Sequence, residues 1–75
     1  MNSPKTTKVK TINVGRACGV FIYKDEWRNG DVEFTVESKV RGHGNIAVAL
    51  ADTLPAARSK AASAVKQLRR RATCR

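Results

Sequence analysis

The sequence predicts a small α+β domain in which an antiparallel sheet of three to four strands is covered on one face by a single C-terminal amphipathic helix, in the order β-β-β-β-α. Short segments of alternating polar and apolar residues fill residues 8–50, and an Asn29-Gly30 pair divides two of them as a hairpin turn does. An alanine-rich stretch with helical periodicity follows. With 75 residues, we expect one domain with a thin core.

The predicted domain spans residues 8–72. Residues 1–7 contain Ser, Pro, Thr and Lys without periodicity and predict a flexible basic arm, whereas residues 73–75 predict a short tail. Residues 8–14 alternate loosely and predict an edge strand, whose lysines discourage pairing with another sheet.

Residues 18–39 predict a hairpin around Asn29-Gly30, because a two-residue type I′ turn needs positive φ at both central positions. This turn pairs Trp27 with Val32 and brings the large apolar side chains to one face. We expect that face to be the core beneath the helix, in preference to a stacking platform for bases: Phe21, Tyr23, Trp27, Val32, Phe34 and Val36. The opposite face is predicted to be acidic, with Glu26, Asp31, Glu33 and Glu37.

Residues 40–45 predict a glycine-bearing loop, and residues 46–50 favour a strand, although the start of a helix is the alternative. Asp52 or Thr53 then caps a helix that has Pro55 in its first turn and runs to about Arg71. Its apolar stripe consists of Leu54, Ala57, Ala61, Ala64, Val65, Leu68 and Ala72.

The net charge of +9 is unevenly distributed along the chain. Residues 1–24 and 53–75 contain no acidic residue, and all six acids lie between them. Basic ends of this kind are typical of proteins that bind nucleic acid, because arginine binds phosphate oxygens with paired donors. We expect nucleic acid, DNA or RNA, to contact the helix flank and the arm through Arg58, Lys66, Arg69, Arg70, Arg71, Lys5, Lys8 and Lys10.

A protein or nucleoprotein partner is the alternative. Phage and mobile-element inhibitors or adaptors, such as anti-CRISPR proteins, are often single domains of this size. The acidic hairpin face then supplies the contact through Glu26, Asp31, Glu33, Glu37 and Trp27. We expect a monomer or a homodimer in either case.

The sequence contains no catalytic constellation, so we expect a non-enzymatic protein without a cofactor. His43 lies between two glycines, and no nucleophile or carboxylate is placed to work with it. Two cysteines and one histidine are too few for a four-ligand zinc site. In a reducing cytosol Cys18 and Cys74 are expected to be free thiols, with a disulfide between them as the alternative.

The location is expected to be cytoplasmic, without contact to a membrane. No apolar run approaches the length of about 18 residues that a spanning helix needs. The polar N-terminal segment also lacks the apolar stretch of a secretory signal.

Two partial family resemblances accompany these patterns. The run Phe34-Thr35-Val36-Glu37, followed by Gly42, Thr53 and Ala57-Arg58, resembles the second half of a double-stranded RNA-binding domain. The first helix of that family is missing, and Leu54-Pro55 stand in place of its phosphate-binding lysines. Separately, the segment from Ala51 to Leu54 with Ala57, Ala61 and Val65 is similar to the strand-to-helix junction of HicB-type antitoxins, without their final strand.

Overall fold

The computed structural model describes residues 3–74 as a four-stranded antiparallel sheet followed by one helix. The strands follow one another in space as they do in sequence: β1 (Lys5–Gly15), β2 (Cys18–Glu26), β3 (Val32–Lys39) and β4 (Asn45–Ala51). Helix α1 (Leu54–Arg69) packs on one face of the sheet, and a 3₁₀ turn (Ala72–Cys74) follows it. The predicted α+β class and the β-β-β-β-α order are confirmed.

The ends of the elements differ in part from the sequence prediction. β1 begins at Lys5, so Lys5–Thr7 belong to the strand. Residues 46–50 form a strand, as favoured, within β4. Of the predicted arm and tail, Met1, Asn2 and Arg75 lie outside the described residues.

Helix α1 begins where its capping chemistry predicts. Thr53 is extended, and its hydroxyl oxygen accepts a hydrogen bond from the Ala56 amide at 3.3 Å. Pro55 lies in the first turn, where its missing N–H leaves no hydrogen bond unmade. The last helical residue is Arg69, and Arg70 caps the end. The helix buries mostly small side chains against the sheet: Ala57, Ala61, Val65 and Leu68.

The predicted core face is confirmed for Phe34 and Val36 of β3 and wrong for Phe21 and Tyr23 of β2, because β2 pairs with β3 in a register shifted by one residue. Glu26, not Trp27, lies opposite Val32, and Ile22 lies opposite Val36. The side chains of β2 therefore alternate in the opposite sense. The sheet contributes Cys18, Val20, Ile22, Phe34, Val36 and Ala51 to the core, whereas Phe21 and Tyr23 lie on the face that the helix leaves uncovered.

The shift originates in the turn between β2 and β3, which has three residues instead of two. The Gly30 amide donates to the Trp27 carbonyl at 3.0 Å, and the Trp27 amide donates to the Asp31 carbonyl at 2.8 Å. Of the three loop residues, only Gly30 has a positive φ, at 93°. This is a type I turn followed by a left-handed glycine, and it also suits an Asn-Gly sequence. The Asn29 side chain stabilises it by accepting from the Asp31 amide at 3.0 Å.

The structure shows the alternative considered for the two cysteines: Cys18 and Cys74 form a disulfide with 5.6 Å between their Cα atoms. Both cysteines are buried in the core. The disulfide joins the start of β2 to the 3₁₀ turn after the helix, 56 residues further along the chain. It therefore encloses β2, β3, β4 and α1 within one covalent loop.

Substitutions on β2 test the register. Ile22 is fully buried, so Ile22→Ala should lower the free energy of unfolding by about 2–5 kcal/mol. Tyr23 on the uncovered face loses only cross-strand contacts, and Tyr23→Ala should cost about 1 kcal/mol. Urea unfolding followed by circular dichroism measures both values. The two-residue turn predicts the reverse order, so a larger loss in Tyr23→Ala contradicts the register described here.

Reduction of the disulfide should destabilise the domain. In the chain-entropy model, opening a loop closed by residues 56 apart costs about 4 kcal/mol of stability. The check is the urea midpoint of the protein with and without reductant. A Cys18→Ser/Cys74→Ser variant is the control, because its midpoint should match that of the reduced protein and ignore the reductant. Equal midpoints for oxidised and reduced wild type would show that the crosslink does not stabilise the fold.

Candidate nucleic-acid interface

Positive charge collects at one end of the sheet, where the β1–β2 turn, the β3–β4 loop and the C-terminus of α1 meet. The pairing of Gly15 with Cys18 places Arg16 at this end, and the pairing of Lys39 with Asn45 places the loop of residues 40–44 there. Residues from that loop, β4 and the end of α1 line one groove, which includes Arg70 and Arg71. We call the following set the basic end: Arg16, Lys39, Arg41, Arg70 and Arg71.

Covalent and close packing contacts hold the basic end together. The disulfide ties Cys74 to Cys18, immediately after the turn that carries Arg16. A Cβ atom at Gly15 would lie 2.8 Å from the Cys74 carbonyl oxygen, so the turn touches the C-terminal segment directly. The segment itself is ordered by backbone bonds from Arg71 to Leu68 and from Cys74 to Arg71, at 3.0 and 3.1 Å.

The β1–β2 turn presents Arg16 in an unfavourable backbone conformation. Arg16 and Ala17 have φ values of 29° and 61°, in the left-handed region that side chains other than glycine rarely adopt. Such conformations cost about 1 kcal/mol or more each, and they persist only where the surroundings enforce them. Here the pairing of Gly15 with Cys18 does so, because the two-residue turn between them requires a positive φ at both central positions.

Within residues 3–74, no member of the basic end forms an ion pair. All five side chains are exposed. The nearest acid along β3 is Glu37, two residues before Lys39, and it accepts a hydrogen bond from Asn45 at 3.3 Å. The positive charge of this end is therefore not neutralised by the domain.

The acids collect at the opposite end, beside the β2–β3 turn. A surface groove of about 530 Å³ there is lined by Trp27, Arg28, Asn29, Asp31, Val32, Glu33 and Asp52. Asp25 and Glu26 lie at the end of β2 that enters the turn. We call Asp25, Glu26, Asp31, Glu33 and Asp52 the acidic end. These five acids outnumber four nearby cations, Lys5, Lys24, Arg28 and Lys60. The charge asymmetry of the sequence becomes a separation in space.

The predicted phosphate-binding residues divide among three places. Arg70 and Arg71 belong to the basic end, while Arg58, Lys66 and Arg69 lie on exposed positions of α1. Because Lys60 and Gln67 face β4, Arg58 and Arg69 lie on the flank nearer β1. On β1 itself, the pairing partners place Lys5 and Lys10 on the helix side of the sheet and Lys8 on the uncovered side.

Sequence reasoning missed Arg16, Lys39 and Arg41. Each lies in or beside a segment that the glycines mark as a turn or loop, at Gly15 and at residues 40–45. That signal places them at the ends of strands. It does not tell which strand ends lie next to the helix C-terminus.

The acidic hairpin face predicted for a protein partner does not exist as one surface. Glu33 and Glu37 lie on the uncovered side of the sheet, Glu26 lies on the helix side, and Asp31 lies in the turn. The register shift causes this division as well. Trp27 leaves the sheet altogether and is 37% exposed, close to Val32 at 40%.

The uncovered face of the sheet carries two aromatic rings beside mixed charges. The centroids of Phe21 and Tyr23 are 6.4 Å apart, and the Lys8 ammonium lies 5.1 Å from the Phe21 centroid. Asp25 accepts hydrogen bonds from Thr6 at 2.6 Å and Thr35 at 2.9 Å, which join three strands. Both rings are half-buried among these neighbours.

His43 is exposed in the β3–β4 loop, where its amide donates to the Val40 carbonyl at 2.9 Å. Among residues 3–74, His, Cys, Asp and Glu side chains form no group of three or more that could hold a metal ion. The helix of the described chain is too short and too polar to span a membrane.

The chain matches no protein-family model, no curated protein and no solved structure. The two charged ends are therefore the features of the molecule that point to a function.

Proposed function

We propose that this protein binds nucleic acid through the phosphate backbone, with the basic end as the primary contact. The observation that carries the proposal is that Arg16, Lys39 and Arg41 lie at the same end of the sheet as the arginines that follow α1. Five exposed cations without ion-pair partners in the described chain make a strong site for a polyanion.

The type of cation supports phosphate as the ligand. Four of the five side chains are arginines, whose planar guanidinium groups donate two parallel hydrogen bonds to phosphate oxygens. The C-terminus of α1 lies here and contributes roughly half a negative charge. Five full positive charges outweigh it, so the end remains attractive to anions.

The contact extends from the basic end along the flank of α1 towards β1. Arg58 and Arg69 lie on this flank, Lys66 is exposed on the same helix, and Lys5 and Lys10 lie on the same side of the sheet. Lys8 lies on the other side and does not join this path. Such a row tracks a backbone rather than reading base edges, so we expect little sequence specificity.

The proposed activity is binding without catalysis. We also propose a cytoplasmic location. The redox state of the Cys18–Cys74 pair depends on that location. Disulfides persist in oxidising compartments, and in a reducing cytosol the two residues are held as thiols. The C-terminal segment then keeps its place beside the β1–β2 turn by packing alone.

Removal of two arginines tests the proposed contact. An Arg70→Gln/Arg71→Gln variant should bind labelled duplex DNA, duplex RNA or single strands at least about tenfold more weakly than wild type. For a duplex, the slope of log affinity against log salt should fall by about 2, because about one counterion is released per neutralised phosphate. Fluorescence anisotropy at several salt concentrations measures both quantities.

The matched control removes the same charge from the acidic end. Arg28 and Lys24 lie there, so Arg28→Gln/Lys24→Gln should leave the affinity and the salt slope close to wild type. Equal losses of affinity in the two variants would mean that the net charge, and not the position of the arginines, determines binding. Absence of binding by wild type at low salt would refute the nucleic-acid proposal.

A protein partner at the acidic end is the second candidate function. It is favoured by the exposure of Trp27 and Val32 at the groove that Asp31, Glu33 and Asp52 line. An apolar pair surrounded by carboxylates suits a partner with an apolar anchor and a basic rim. This surface would serve an inhibitor or adaptor.

Affinity capture with variant baits tests this second candidate. A specific partner should be retained by wild type and by Arg70→Gln/Arg71→Gln, and lost with Trp27→Ala, since a central tryptophan dominates many interfaces. Quantitative mass spectrometry of the captured proteins gives the comparison. A protein retained equally by Trp27→Ala does not use this groove.

A further inference from the structure

The two edge strands of the sheet differ in how they protect their outer backbone. β1 carries Lys5, Lys8 and Lys10 and a bulge at Val9, which are features that prevent pairing with other chains. β4 also contains an irregularity, at Val48, but it has no charged residue and no proline. β4 is therefore the less protected of the two edges.

β4 also exposes its large apolar side chains. Ile46, Val48 and Leu50 are 61%, 49% and 54% exposed. Ile46 and Val48 line shallow grooves that continue onto Ala64 and Gln67 of the helix. An apolar, uncharged edge of this kind is a template for strand addition.

The outer backbone of β4 is largely unpaired. Lys60 from α1 donates a hydrogen bond to the Leu50 carbonyl. Within the described chain, no other backbone group of β4 bonds to anything outside the sheet. A strand added here supplies the missing donors and acceptors.

The charge separation of the domain selects the direction of the added strand. β4 runs from the basic end, where Asn45 pairs with Lys39, to the acidic end, where Ala51 precedes Asp52. When a second copy pairs antiparallel, the acidic end of each copy lies beside the basic end of the other. Parallel pairing sets like charges together, which is unfavourable.

We propose that a second copy of this chain docks on β4, with the two strands antiparallel about a two-fold axis near Val48, to form one continuous sheet. The second copy is the occupant because it brings the same uncharged apolar strand and the complementary charge at each end. β4 itself offers no cation along its length for a row of phosphates: Lys60 is bonded to the Leu50 carbonyl, and Arg70 and Arg71 border only its basic end. The isologous arrangement closes on itself and leaves the β1 edges outside.

The first test is the molar mass of the purified protein, without nucleic acid, by sedimentation equilibrium over a wide concentration range. Wild type should pass reversibly from monomer to dimer. Val48→Lys should raise the dimer dissociation constant at least about tenfold, because two lysines meet near the axis. The control is Val9→Lys on β1, where Val9 is 41% exposed, and it should dimerise as wild type does.

A charge swap tests the direction of pairing. Asp52→Arg and Arg41→Asp should each weaken the dimer, because each places like charges where the two copies meet, and the double variant should recover the wild-type constant. Circular dichroism of every variant shows that it is folded. Additive weakening in the double variant would overturn the antiparallel arrangement.

Amide exchange of the wild-type protein supplies a readout that needs no variant. The amides of residues 45–51 should exchange more slowly as the concentration rises, whereas those of residues 5–15 should not change. A monomer at every concentration, or a Val48→Lys dimer as stable as wild type, would refute the proposal. Because these tests omit nucleic acid, their result is independent of the phosphate-binding proposal.

Discussion

The pairing register between β2 and β3 is the constraint on which the rest of the structure depends. Gly30 in the left-handed region closes a three-residue turn, and this turn places Ile22 opposite Val36. The pairing assigns Val20 and Ile22 to the helix side, where the alanines of α1 meet them. The same pairing places Phe21 and Tyr23 on the other side of the sheet and divides the acids of the hairpin between the two faces. One residue in a turn thus decides the composition of both surfaces of the sheet.

The closure of the chain at Cys74 is the second organising contact. The helix returns the chain to the end of the sheet where β2 begins, and the disulfide joins the two there. This contact encloses most of the domain in one covalent loop. It lowers the conformational entropy of the unfolded chain, and this stabilises a domain whose core is thin and whose helix buries small side chains. It also brings the segment that carries the arginines after α1 to the same end of the sheet as Arg16. Stability and the candidate phosphate site therefore depend on the same contact.

Charge separation links the proposed functions of the domain. A basic end and an acidic end on one elongated molecule, 43 Å in its longest dimension, act on different partners. In the proposed functions, the basic end binds a polyanion, and the complementary ends orient a second copy across the uncharged β4 edge. In the dimer, each copy keeps the flank of α1 towards β1 away from the new strand pair. Pairing through β4 therefore leaves that flank open to nucleic acid, whereas at the basic end the partner's acids and a bound polyanion compete for the same cations.

Element order, the strand character of residues 46–50 and the Thr53 cap followed from local patterns, because alternation, turn residues and capping act between neighbours in sequence. The charge asymmetry was equally visible, and Arg70 and Arg71 were identified from it. The choice between a two-residue and a three-residue turn was not visible in the sequence, since Asn29-Gly30 suits both. Only the packing of the helix decides whether β2 buries the face with Ile22 or the face with Phe21. Nor did the sequence determine that Arg16, Lys39 and Arg41 join the helix end or that Cys18 meets Cys74. Those contacts join residues far apart in the chain, and packing of α1 along the sheet decided them.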